Sequence, residues 1–336
     1  MKTKTAGVEQ YLLNRITGGE YAPHAKIPSQ FKLMQHFSCS RVTVQRALNN
    51  LIRAGILYSS RGSGTFVRPG PYNGRVQELV IVSQYADNSP DFPFSEMLFN
   101  LQTPLPIRWV DEEFFDRNPA HFCHPGQAVI WLLPGEKQIM HMYHLRQRNI
   151  PQLLINRTYG DFDFVSTDPW SSIREGMNLL AVRRGDSFAV VSRIPNADAP
   201  YLSERLLAFY EECFNLGLNI PPDGIIKRNL SEFSLDSSSP EIFPDGRIPR
   251  RIFIPEELLL APVIMNASRY NRILGKDYEI LVFSQGILIP PRPGLLMMHQ
   301  PMDEFRQQIE KFIIHINSGS KERFQIRIKT VLRGNG

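Results

Sequence analysis

Apolar positions recur with two different periods along the chain, and the change falls near residue 77. In the stretch VEQYLLNRI, residues 8–16, Val8, Leu12 and Ile16 stand at i, i+4 and i+8 with Leu13 beside them, the spacing of one helix face. Gly18 and Gly19 end that helix. In the following YAPHAKIPS, Pro28 interrupts the chain and Ser29 is placed to cap a second helix over 30–37, since its hydroxyl can accept from the free N–H groups of a first turn. After the turn Ser38-Cys39-Ser40, Val44, Ala47, Leu48 and Leu51 repeat at i, i+3, i+4 and i+7, so a third helix capped by Ser40 turns these four inward. Its outward face is then Val42, Thr43, Gln45, Arg46, Asn49 and Arg53. Gly55 stops it, and ILYSSRGSGTFV reads as two short strands around a glycine-rich turn. The expected unit is helix, helix, turn, helix and a two-stranded wing.

RPGPYNGRVQ, residues 68–77, packs two prolines and two glycines into ten positions and marks a boundary. Beyond it the apolar residues come in continuous runs: ELVIV (78–82), AVIWLL (128–133), QLLIN (152–156), FVST (164–167), SFAVVS (187–192), RIFI (251–254) and YEILVF (278–283). Strands buried on both faces read this way, which predicts parallel sheets in an α/β architecture. The expected organisation is a winged helix-turn-helix domain over 1–68, a linker over 69–77 and an α/β domain over 78–336, a length ample for two or three cores.

Charge sharpens this division. Residues 1–75 hold eleven Lys and Arg against only Glu9 and Glu20, a surplus of nine; as the whole chain carries +5, the remainder stands at −4. Within 38–66 there are four arginines and neither Asp nor Glu. Such a basic block is the footprint of a polyanion partner, double-stranded DNA first among them. A helix N-terminus presented to a major groove offers N–H groups to phosphate and short polar side chains to base edges, while a wing touches the backbone or minor groove. No run of about 18 apolar residues is present and the N-terminal MKTKTAGVEQ lacks an apolar core, so neither a membrane span nor export is expected, and the location expected is cytoplasmic. Cys39, Cys123 and Cys213 have no paired spacing, which argues against a disulfide framework or a cysteine zinc site. The His121-Phe-Cys123-His124 cluster and the His141/His144 pair invite a metal reading, but such local pairs without further ligands are more often ordinary surface or core residues. No cofactor is expected.

The run from Tyr21 to Val67, with Pro28-Ser29, Ser40-Arg41, Thr43-Val44, Arg46-Ala47-Leu48, Leu51, Gly55 and 62–67 GSGTFV, resembles the DNA-binding domain of GntR-family transcription regulators. The resemblance implies DNA contact by Arg41, Thr43 and Gln45, with Ser40 at the helix start, Arg61 and Gly62 in the wing, and Arg46 on the outward face. His24 stands where that family usually has Gly, and Phe31 where an arginine or other polar residue often reaches DNA; Lys32 is the nearby substitute. Over 78–333 the chain resembles, at lower identity, the effector domain of LacI-family regulators and periplasmic sugar-binding proteins, carried by 151–180, by 199–212 APYLSERLLAFYEE and by 294–313 GLLMMHQPMDEFRQQIEKFI. The combination is of the arabinose-repressor kind.

That second resemblance implies two parallel-sheet subdomains with a ligand cleft between them. It puts Arg205 on an effector-binding arginine and Asp168 on a carboxylate or amide at the cleft; Tyr85, Asn88 and Phe92, after the first strand, are either an aromatic platform and a polar contact or part of an ordinary loop. Two departures stand out: Pro255-Glu256 replaces a common Asn-Asp, and Ser284 stands where a carboxylate often grips the effector. The expected function is a sequence-specific DNA-binding regulator, a repressor rather than an enzyme, acting as a homodimer and controlled by a small polar ligand of saccharide type. The region of Met297, Met298 and Pro301 and the first large-domain helix are candidate dimer surfaces, with core packing the alternative for the Met pair. The competing readings are a pyridoxal-phosphate aminotransferase-like protein, disfavoured because Lys137, Lys227 and Lys276 are the only lysines between the wing and Asp303 and none sits in a cofactor motif, and a sugar-binding transport component.

Overall fold

The small N-terminal domain forms as its apolar spacing requires. In the computed structural model, which describes residues 4–17, 20–21, 25–53, 56–60, 63–68, 76–84, 93–117, 126–196, 199–233, 241–285, 290, 292–320 and 322–334, helices α1 (Lys4–Thr17), α2 (Gln30–Phe37) and α3 (Arg41–Arg53) precede strands β1 (Leu57–Ser60) and β2 (Gly64–Val67). Val8 and Leu12 from α1, Leu33 from α2, and Val44, Ala47, Leu48 and Leu51 from α3 share one core with Ile56, Leu57 and Val67. Ser29 caps α2 through a bond from the Lys32 N–H, and the Ser40 hydroxyl accepts from the Thr43 N–H at 3.2 Å, so both capping residues do what their positions imply. β1 and β2 pair antiparallel, Leu57 opposite Val67, and 25–27 add a short third strand by bonds of Ile27 N–H to Thr65 O and Val67 N–H to Ala25 O.

The remaining elements divide between two compact units. The first holds 1–89, 100–165 and 307–325, the second 90–99, 166–306 and 326–336. One sheet is built from β3 (Glu78–Ser83), β4 (Ile107–Asp111), β5 (Gln127–Leu132), β6 (Gln152–Ile155), β7 (Phe164–Asp168) and β13 (Gln325–Lys329), in the order β13-β7-β6-β5-β3-β4. The pairs β3–β4, β3–β5, β5–β6 and β6–β7 are parallel. Val80, Val82, Val129, Trp131 and Leu154 point to one face, where Phe115 of α5 (Glu112–Arg117) and Met142 and Leu145 of α6 (Ile139–Gln147) cover them; α4 (Pro93–Phe99) precedes β4.

The second unit's sheet is built from β8 (Phe188–Arg193), β9 (Ile225–Arg228), β10 (Arg251–Ile254), β11 (Glu279–Ser284), β12 (Leu295–His299) and β14 (Val331–Arg333), in the order β14-β12-β11-β10-β8-β9. All neighbours are parallel except β12 and β14. Alternation decides the layers. Phe188, Val190, Phe253, Leu281, Phe283 and Met298 face α7 (Pro169–Leu179) and α8 (Pro200–Leu216), while Ala189, Val191, Ile252, Ile254, Ile280, Val282 and Met297 face α9 (Leu260–Arg269). Helices on both faces of a parallel sheet make this a doubly wound α/β unit. Helix α10 (Met302–Asn317) follows β12.

Two expectations change here. Met297 and Met298 are 1% and 0% exposed in the middle of β12, between β11 and β14, so they are core residues and not a dimer surface. Strands β4, β9, β13 and β14 were absent from the sequence reading because they lie at or near sheet edges and alternate exposed with partly buried positions, without the continuous apolar run of a central strand.

Candidate nucleic-acid interface and ligand-binding end

Helix α3 turns a polar face outward because its apolar stripe is used up in the core. Arg41, Val42, Gln45, Arg46, Asn49, Asn50 and Arg53 line one shallow concavity on that face. Neither α2 nor α3 has an acidic residue. Arg41, Arg46 and Arg53 are exposed, and none of the ion pairs among the described residues uses them. The side chains at the start of the helix are pre-set: the Ser40 and Thr43 hydroxyls are 2.9 Å apart, Gln30 Nε2 donates to Gln45 Oε1 at 2.7 Å, and Gln45 Nε2 donates to Asn49 Oδ1 at 3.2 Å. Such amide relays hold a reading side chain in one rotamer, which lowers the ordering cost of binding. Lys32 is exposed on α2. Arg61 and Gly62 of the wing, and His24, lie outside the described residues, as do Tyr85, Asn88 and Phe92.

In a doubly wound sheet, ligands bind outside the carboxyl ends of the strands where the strand order reverses. In the second unit that reversal lies between β8 and β10, since β9 follows β8 on one side and β10 to β12 follow on the other. Arg193, the last residue of β8, and Glu256, two residues past β10, meet there: Arg193 Nε donates to Glu256 Oε1 at 2.8 Å and Oε2 at 3.0 Å. Tyr201, in the first turn of α8, accepts from Arg193 Nη2 at 3.0 Å and donates to Glu256 Oε2 at 2.9 Å. Burial, followed by the Glu256 carboxylate, pushes the Tyr201 phenol up, so it remains a donor at neutral pH.

Arg205, one turn further along α8, is buried. Its guanidinium lies over the rings of Tyr201 at 4.7 Å and Phe283 at 4.3 Å, and Nη1 donates to Pro255 O at 2.6 Å. Ser284 at the end of β11 is also buried; its hydroxyl donates to Glu257 Oε2 at 2.9 Å and stands 3.2 Å from His299 Nδ1. Burial, with a smaller effect of Arg333, lowers His299 below the ordinary histidine value. Arg205 and Ser284 are thus brought to one end of the sheet with Arg193, Tyr201, Glu256 and Glu257, four residues that the sequence reading did not assign to the site. Asp168 plays a structural part as the cap of α7, accepting from Trp170 N–H at 3.0 Å, Ser171 N–H at 3.2 Å and the Ser171 hydroxyl at 2.5 Å. The Asp-Pro-Trp-Ser run, a cap residue before proline, carried that information.

In the first unit, His141 Nε2 lies 3.1 Å from Asp116 Oδ1. No group of three or more His, Cys, Asp or Glu among the described residues is arranged to hold a metal ion, and His121, Cys123 and His124 fall outside those residues. Cys213 is buried and desolvation pushes its thiol up to about 12, which leaves it inert. Glu112, at the start of α5, behaves differently. Burial first, then the carboxylates of Asp116 and Asp111, push it up to about 7, with Lys137 and Arg157 pulling partly back. A carboxyl raised in the folded chain contributes stability below its ordinary value of 4.5 and loses it as pH rises through 7. Glu112→Gln should therefore be nearly neutral at pH 5 and stabilising at pH 8, by about 1–2 kcal/mol once partial exposure is discounted, as read from urea midpoints at the two pH values.

Residues 4–67 match the family model described as bacterial regulatory proteins, gntR family, so the chain carries a gntR-type helix-turn-helix domain at its N-terminus. The arabinose metabolism transcriptional repressor of Halalkalibacterium halodurans is 39% identical over 66 residues, 20% of this chain and 18% of the relative. The histidine utilization repressor of Pseudomonas putida is 39% identical over 62 residues, 18% and 25% of the two chains. The chain thus spans about a fifth to a third of the length of the curated relatives it matches. The large part is similar in fold to a LacI family transcription regulator from Clostridium acetobutylicum, with TM-score 0.55 and 16% identity over 77% of this chain and 99% of that one. It is likewise similar to the transcriptional regulator CelR in a cellobiose complex, with TM-score 0.58 and 14% identity over 87% and 89%. The fold is a winged helix-turn-helix joined to an α/β part of the LacI and periplasmic-binding-protein kind. No helix among the described residues is long and apolar enough to cross a membrane.

Proposed function

We propose that the chain is a transcription regulator, a repressor that binds operator DNA as a homodimer in the cytoplasm and responds to a small polar ligand held by its α/β part. The observation that carries this reading is the outward face of α3, a helix without a carboxylate of its own, where Arg41, Arg46 and Arg53 stand with Gln45 and Asn49. Phosphate contacts from these arginines supply affinity, and Arg41, Thr43 and Gln45 at the helix start are the side chains placed for base edges. Lys32, Arg61 and Gly62 add backbone contacts on either side. A single winged helix covers too little DNA for a specificity of roughly 10³ over random sequence, which is why two copies on a two-fold site are proposed.

The head's relatives include repressors named for arabinose metabolism and for histidine utilization, so the head is neutral about the ligand. The saccharide reading is supported by the fold of the large part, shared with a regulator in complex with cellobiose. Arg205, Ser284 and Asp168 of the second unit are the proposed ligand contacts, and Arg193, Tyr201 and Glu256 of the same unit join them. A ligand acts only through different affinity for two arrangements of the chain, which shifts operator binding by roughly 5–150-fold. Two arms test the proposal. Arg41→Ala should weaken binding to a selected duplex by about 1–3 kcal/mol while the fold stays intact, and unchanged affinity would remove Arg41 from the interface. In a thermal-shift screen of sugars, sugar acids and nucleosides, a hit should be lost in Arg205→Ala; equal binding to both would misplace the ligand site.

A further inference from the structure

We propose that Val42 and Phe31 read the C5-methyl groups of two thymines in the operator half-site. The inference rests on the DNA-binding reading of the head and adds base identity to it. Val42 is 73% exposed and Phe31 65% exposed, the two large apolar side chains of the described head that stand most in solvent. Single exposed apolar residues are ordinary on a protein surface. These two differ in their placement, because they flank the start of the recognition helix. Val42 lies in the concavity with Arg41, Gln45 and Arg46, and Phe31 lies in a neighbouring one with Ser40, Thr43 and Lys4. The 2.7 Å bond from Gln30 to Gln45 ties α2 to α3 one residue before Phe31, which holds that part of α2 beside α3.

Charge selects the occupant. A protein surface covering this face would have to bring carboxylates to Arg41, Arg46 and Arg53. A second head cannot, because its acids among the described residues are Glu9, held by Asn50, and Glu20, held by Arg15. The matching partner is a polyanion with an apolar group at its reading edge. In the major groove that group is the thymine methyl, which distinguishes T·A from the other pairs. Arg41, in the same concavity as Val42, then takes a guanine edge or a phosphate.

The test begins by enriching duplexes from a random pool with the full-length chain. In the best duplex each dT is then replaced singly by dU, which removes the methyl and leaves the pairing. Replacement at each of two positions in the half-site should weaken wild-type binding about fourfold, the worth of one buried methyl group. Val42→Ala should lose sensitivity at one position and Phe31→Ala at a second, each binding the dU duplex as wild type does. Val42→Thr, which keeps a methyl in the same place, should stay sensitive. Equal wild-type affinity for all dU duplexes overturns the proposal, as does undiminished methyl dependence in both alanine variants. If Phe31→Ala instead changes the sedimentation of the free protein and leaves methyl dependence intact, Phe31 is an interface residue and its assignment falls. Failure to enrich any duplex removes the DNA reading itself, whereas enrichment without methyl dependence removes only this inference.

Discussion

Arg193→Met should destabilise the second unit by about 3–5 kcal/mol, because it strands a carboxylate that has almost no access to water. Glu256 is 1% exposed, and its two oxygens are held by Arg193 Nε and by the Tyr201 hydroxyl. Tyr201 alone can donate one bond but no charge. Arg193→Met/Glu256→Met should recover most of the loss, because a buried ion pair replaced on both sides by apolar groups is often close to neutral. Urea unfolding at pH 8 checks both statements. A single variant as stable as wild type at pH 8 would mean that water reaches Glu256 and that the pair is a surface feature.

Phe253→Ala should cost a similar amount, about 3–5 kcal/mol, through a different mechanism. The Phe253 ring is fully buried at the centre of the sheet and stacks on Phe209 of α8, with centroids 4.1 Å apart and planes within 2°. It also meets Phe283 edge to face at 6.4 Å, and Phe283 is the ring on which the Arg205 guanidinium rests. Removing it opens a cavity beneath the proposed ligand-binding end, so a ligand found in the thermal-shift screen should bind more weakly as well. Phe253→Leu, which refills most of the volume, should restore a large part of both. Loss of stability with ligand affinity unchanged would separate the core from the site.

The head was legible in the sequence almost residue by residue, because its local rules agree with one another. The i, i+3, i+4, i+7 stripe of Val44, Ala47, Leu48 and Leu51, the Ser29 and Ser40 caps and the Gly-rich wing each specify the same arrangement. Central strands such as β5 and β10 were legible because burial on both faces leaves a continuous apolar run. The pairing of 25–27 with β2 was hidden, since Ala-Lys-Ile is too short to carry a period. At the ligand-binding end, resemblance pointed to Arg205 and Ser284, but the Arg193–Glu256 pair joins residues 63 apart in the chain. No local pattern announces such a pair; it exists because a parallel sheet brings successive strand ends to one side. Of the two readings open for Met297 and Met298, dimer surface or core, the fold takes the second, because Met297 packs in the cluster with α9 and Met298 in the cluster with α7 and α8.

The central claim is that the basic head reads a DNA sequence. Fluorescence anisotropy of the full-length chain, with the selected duplex and with a scrambled duplex of equal length and composition at physiological salt, tests it most directly. Binding to the selected duplex tighter by at least about 10³, with an affinity that falls linearly in log salt, is the predicted result. Equal affinity for the two duplexes at every salt concentration would contradict it.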